Sequence, residues 1–252
     1  MPTDVFEYPT VKQVAFEIRF PHLFLIENKI GDFQAGISAE FPEAQQAFER
    51  EMVLTTMGAD GKLKGIPEEE PQIVRKSWIF KSEKGYEVRV ATNLLQITSN
   101  HHKTYNNPHG DKFRDVISLV TNNLFNIVKI PIVKRVGLRY VDECPLPAKN
   151  NDTLKKLYNS TLPYEHFPID NVENAYFQIT TKRKNHNLFF REALNKDNEK
   201  YRLILDFDGF ENQVASTDLL KVTDELHSII EEEYFSIIKE PIKVYMRTGR
   251  LE

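Results

Sequence analysis

Two eight-residue stretches decide how this chain is organised: Phe125-Asn126-Ile127-Val128-Lys129-Ile130-Pro131-Ile132 and Phe235-Ser236-Ile237-Ile238-Lys239-Glu240-Pro241-Ile242. Five of the eight positions are identical, and Val128/Ile238 is a close exchange. Each stretch closes a run whose apolar residues recur at three- and four-residue steps, the spacing that places them on one stripe of a helix. The first run carries Phe113, Val116, Ile117, Val120 and Leu124; the second carries Leu219, Val222, Leu226, Ile229 and Ile230. Ser216 reads as the N-cap of the second helix, with Asp218 in its first turn. Pro131 and Pro241 stop the helices and turn the chain into extended backbone. After Pro241 that predicts a last strand over 242–247.

Outward from these stretches the same order of elements recurs. A strand is predicted over 11–20, where Val14, Phe16, Ile18 and Phe20 alternate with polar residues. Its opening, Val11-Lys12-Gln13-Val14-Ala15-Phe16, resembles Val133-Lys134-Arg135-Val136-Gly137-Leu138, which starts a second strand over 133–143. A helix over 31–50, broken or kinked at Pro42, follows the first strand. The Gly- and Pro-rich stretch 57–72 reads as an exposed loop. Strands are then expected over 77–81, 86–92 and 94–99. In the second half a short helical stretch over 152–158 precedes strands over 175–181, 188–193 and 200–207. The predicted fold is α+β: two tandem β-α-β-β-β-α repeats (1–130 and 131–252) joined into one twisted antiparallel sheet, with long amphipathic helices packed on one face. Phe125 and Phe235 become equivalent, buried positions.

Composition narrows the function classes. With 40% hydrophobic and 11% aromatic residues in 252, a sizeable core is available. No apolar run is long enough for a membrane helix, and the N-terminus lacks the pattern of a signal peptide. Cys144 is the single cysteine, so no intrachain disulfide or cysteine-based zinc site can form. The expected compartment is the cytoplasm, without a membrane partner. A formal net charge of −4 gives no global field to gather nucleic acid. Phosphate-binding glycine loops, dinucleotide fingerprints, nucleophile elbows and zinc-protease motifs are absent from the sequence, so no cofactor and no metal is expected.

Several short motifs together resemble a sporadically distributed family of prokaryotic proteins that is catalogued by number and has no assigned activity. They are Tyr8-Pro9 with Phe16-Glu17-Ile18-Arg19-Phe20, Asn93-Leu94-Leu95, Val136-Gly137-Leu138-Arg139-Tyr140-Val141, Leu205-Asp206-Phe207-Asp208, and Leu226-His227 with Phe235. Gln13 stands where that family's pattern has Glu. The resemblance implies a gene context of mobile elements or antiviral defence and no particular chemistry.

Candidate sites are few. Asp206 and Asp208 lie two apart on a strand, so both carboxylates leave the same face, a geometry that suits a divalent cation if further oxygen ligands converge. His227 borders the stripe of the last helix and is a candidate acid–base partner for them. The alternative is a salt-bridge lattice, because Glu17, Arg19, Glu87, Arg89, Arg135, Arg139, Asp206 and Asp208 all fall on polar sides of strands. Arg19, Arg139 and Asn93 are the candidate ligand-binding residues. Lys182-Arg183-Lys184, at a predicted hairpin tip, is the candidate contact for nucleic acid, a weaker partner class here than protein. The leading expectation is a non-catalytic binding or interaction protein with a protein partner or a homo-oligomeric state. Its competitors are a metal-dependent hydrolase or nuclease using Asp206 and Asp208, and a small-ligand binder of helix-grip type.

Overall fold

Alternation of apolar and polar residues sets which side of each strand is buried, and here it aligns across a sheet nine strands wide. The computed structural model describes residues 5–50, 74–197 and 200–251. The strands are β1 (Val11–Arg19), β2 (Glu43–Arg50), β3 (Val74–Lys81), β4 (Tyr86–Ala91), β5 (Leu94–Ser99), β6 (Ile132–Leu146), β7 (Ala175–Arg183), β8 (His186–Asp197) and β9 (Lys200–Ala215). They pair antiparallel in the order β2-β3-β4-β5-β1-β6-β9-β8-β7. Along β1, Phe16 sits between Ile97 and Leu138 and Ile18 between Leu95 and Val136, so three strands contribute one apolar row. These residues are fully buried.

The helices are α1 (Leu25–Ile37), α2 (Phe113–Ile127), α3 (Asn151–Leu157), α4 (Leu219–Ile237) and α5 (Glu240–Thr248). α2 buries Phe113, Val116, Ile117, Val120 and Leu124, and α4 buries Leu219, Leu226, Ile229 and Ile230. Glycine sets the approach of α4 to β9, since a Cβ on Gly209 would already lie 3.4 Å from Leu226 and Ile230. A Cβ on Gly36 would strike the Asn123 side chain at 2.0 Å. Without it α1 and α2 close up, and Asn123 Nδ2 donates to the Phe33 carbonyl at 2.7 Å.

Four expectations are corrected. The helix placed over 31–50 is α1, six residues earlier at its start. Pro42 cannot continue a helix, and the chain beyond it pairs with β3 as β2, leaving Phe48 exposed. The first half therefore has one strand more than the second. The predicted last strand 242–247 is helix α5. Ile242 and Met246 are buried four residues apart, Pro241 sits in its first turn and Gly249, at φ 73°, closes it. Ser216 does not cap α4; it opens a 3-10 turn, and the helix starts at Leu219. Phe125 and Phe235 are half-buried and not fully buried, each third from the end of its helix. The loop expected over 57–72 lies outside the described residues.

Candidate functional site

The charged side chains that alternation put on one side of the strands do lie together, on the side of the sheet away from Phe16, Leu138 and Phe207. Asp206 receives Arg139 through Nε and Nη2 (both 2.7 Å) and Arg191 through Nη2 (2.6 Å). Asp208 accepts two bonds from Arg135 Nη2 (2.9 and 2.7 Å), and Glu17 joins Arg135 (3.3 Å) to Arg19 (2.6 Å). Gly137 leaves the space this needs, because a Cβ there would meet Arg135 Nη1 at 2.3 Å. Burial raises the carboxyl of Asp208 even against the neighbouring Arg135.

His227 is on the other side of the sheet, on α4. Leu226 touches the Gly209 side of β9 while Asp206 and Asp208 project the opposite way. The sheet therefore separates the histidine from the two carboxylates that the hydrolase constellation required. Among the described residues no three His, Cys, Asp or Glu side chains are grouped to hold a metal ion. Two of the three basic residues at the hairpin tip pair with α4: Arg183 donates to Glu233 and Lys184 to Glu232 (2.7 Å), while Lys182 is exposed. Asn93 uses its backbone, its carbonyl accepting from Phe20 N–H at 3.1 Å.

Where His227 does lie, a cleft of about 100 Å³ opens between α4 and the end of β6. Tyr140 and Asp142 line it from β6, His227, Ile230 and Tyr234 from α4, Phe6 and Pro9 from the N-terminal segment, and Met246 from α5. The pairing of β1 with β6 slips by one residue between Val11 and Gln13, beside Asp142. Such bulges commonly re-aim side chains near a site.

Burial moves several of the cleft's titratable groups toward their uncharged forms. Asp142 is buried and accepts from Thr10 Oγ1 at 2.7 Å; burial pushes its carboxyl up to about 7. Burial lowers His227 to about 4, so its imidazole is neutral at neutral pH. That ring stacks on Tyr105 (4.5 Å, 17°) and meets the edge of Tyr140 at 5.9 Å. Tyr105 is itself fixed, its hydroxyl donating to Asp224 at 2.8 Å while Arg114 forks onto the same carboxylate (2.7 and 2.9 Å). Burial also raises Glu231 and lowers Lys103, whose Nζ donates to the Val11 carbonyl at 3.0 Å. The Tyr140 hydroxyl is buried with no hydrogen-bond partner. A larger hollow of about 280 Å³ adjoins the cleft across Phe6, Pro9, Lys103 and Thr104 and carries Glu7, His101 and Asp111.

Sequence reasoning named His227, as a partner for Asp206 and Asp208, and did not name Tyr140 or Asp142 as site residues. Their signal was present: with Val11 set on Val133, Tyr140 and Asp142 fall where the first half has Ile18 and Phe20. Polar groups at two core positions are the kind of local inconsistency that marks sites. No family model, curated protein or solved structure matches this chain.

Proposed function

We propose that the chain is a non-catalytic binding protein that seats a small, uncharged, mainly apolar ligand in the cleft between α4 and β6. The observation that carries this is the Tyr140 hydroxyl, buried and unpaired in a cleft wall. Leaving such a group without a partner costs about 1–3 kcal/mol, which a ligand hydrogen bond removes. Tyr140, His227 and a half-protonated Asp142 offer hydrogen bonds without a fixed charge, and Lys103 and Glu231 set one cation against one anion, so the lining as a whole favours a ligand without net charge. Size sets a limit. A dry cavity of about 150 Å³ holds benzene and this cleft is about 100 Å³, so the ligand's buried end is a short chain or part of a ring, with the remainder in the adjoining hollow.

The same reading takes the chain as two tandem units, 1–130 and 131–252. It is supported by strand order, which runs β1-β5-β4-β3 and β6-β9-β8-β7 outward from the β1–β6 junction. It is also supported by the matched helix ends, where Val128 and Ile238 are extended and return their N–H groups to Leu124 and Tyr234. On this view the first unit keeps an apolar core at Ile18 and Phe20, and the second has turned the matching positions into a binding site. The test is a fragment screen by ligand-observed NMR using phenols, alcohols and primary amides, on wild type and Tyr140→Phe. Wild-type-only binders are expected. A variant that binds as well as wild type, or a wild type that binds none, removes the proposal.

A further inference from the structure

The side of the sheet opposite the cleft is built for a different ligand. Asp206 is fully buried there and positions two guanidiniums, those of Arg139 and Arg191. Its three hydrogen bonds engage a minority of the N–H donors that two guanidiniums carry. Arginines already fixed by a buried carboxylate lose little freedom when they meet an anion.

Depth adds to the charge. Two neighbouring clusters, Asp206 with Arg139 and Arg191 and Asp208 with Arg135, Glu17 and Arg19, together set four guanidiniums against three carboxylates. The carboxylates are 16%, 0% and 27% exposed for Glu17, Asp206 and Asp208, whereas Arg19, Arg139 and Arg191 are 60%, 44% and 40% exposed. Arg135, at 20%, lies as deep as the carboxylates, and the other three guanidiniums form the outer layer. Five acidic residues lie across the sheet on α4: Asp224, Glu225, Glu231, Glu232 and Glu233.

Aromatic rings flank the arginines. Phe189 is two residues from Arg191 on β8, so it shares the face, and it stands opposite Asp208. Tyr176 on β7 pairs with Ala193, diagonal to Arg191, with 70% of its surface exposed. Diagonal neighbours on a sheet are within reach of an aromatic side chain. Anchored arginines beside an exposed ring on an antiparallel sheet are what a single strand needs, phosphates on the guanidiniums and a base on the ring.

We infer that the β6-β9-β8-β7 face docks single-stranded nucleic acid, with phosphates at Arg139 and Arg191 and a base stacked on Tyr176. The test uses the full chain and a fluorescein-labelled oligothymidine of about 16 nucleotides, the upper end of what one such domain covers. Polarisation is read at several salt concentrations. Wild type binds at low salt, and Tyr176→Ala weakens binding about tenfold. Arg191→Gln lowers the steepness of log affinity against log salt by about 0.7. Tyr176→Ala removes an exposed ring, so its result stands even if Arg191→Gln folds poorly. Any of three results overturns the inference: no binding at low salt, binding unchanged in both variants, or displacement of the strand by free thymidine monophosphate at equal concentration.

Discussion

Asp142, His102 and His227 make stability depend on pH in opposing directions. Asp142 keeps its proton to about 7 in the folded chain but loses it near 4 when unfolded. The folded state then holds the extra proton, so this residue's contribution is fully present below pH 4 and is lost as pH rises to 7. His102 and His227 are lowered to about 4 against 6.5 unfolded, each chiefly by burial. Their contribution is present above pH 6.5 and is lost as pH falls to 4. Asp142→Asn removes one of the carboxyls that oppose the histidines. Its stability, from urea unfolding at pH 4.5 and 6.5, is expected to climb with pH more steeply than wild type's. Equal slopes would mean that Asp142 is ionised in the folded protein. Tyr140→Phe is expected to match wild type in stability or exceed it by about 1 kcal/mol, because a buried hydroxyl without a partner is deleted. A loss in chemical denaturation would show that the hydroxyl is paired.

At the scale of elements, α2 and α4 were legible because their stripes are long and their period is unambiguous. Leu124 is buried in α2, and Leu124→Ala should cost about 2–5 kcal/mol in chemical unfolding. A few tenths would place the helix at the surface. Shorter elements defeated the same reading. Ile242 and Met246 fit a strand's alternation as well as a helix's four-residue step, so only Pro241 and Gly249 distinguished α5 from a strand. The stretch that became β2 carries Ala44 and Phe48 at helical spacing, and its pairing with β3 overrode that pattern. The cleft was illegible for another reason. Tyr140 and His227 meet only because α4 lies over β6 and β9, a contact that no local spacing records. The charged face, by contrast, follows from strand alternation alone, and its residues could be named before their partners.

Across the whole molecule the two halves share one sheet through the β1–β6 pairing. Trp78, the only tryptophan, lies on β3 near one edge. If the sheet unfolds as a unit, tryptophan fluorescence and far-ultraviolet circular dichroism should give the same urea midpoint. An earlier fluorescence transition would show the first half melting independently. The cleft places a further demand on the whole chain, because its walls come from segments far apart in the sequence. Phe6 and Pro9 stand against Met246, and the Tyr8 N–H donates to the Met246 carbonyl at 2.9 Å. On a ribosome, every strand of the sheet emerges well before Met246 does. The cleft is thus completed only after the sheet, and a nascent chain halted before α5 would present the strands with that cleft unfinished.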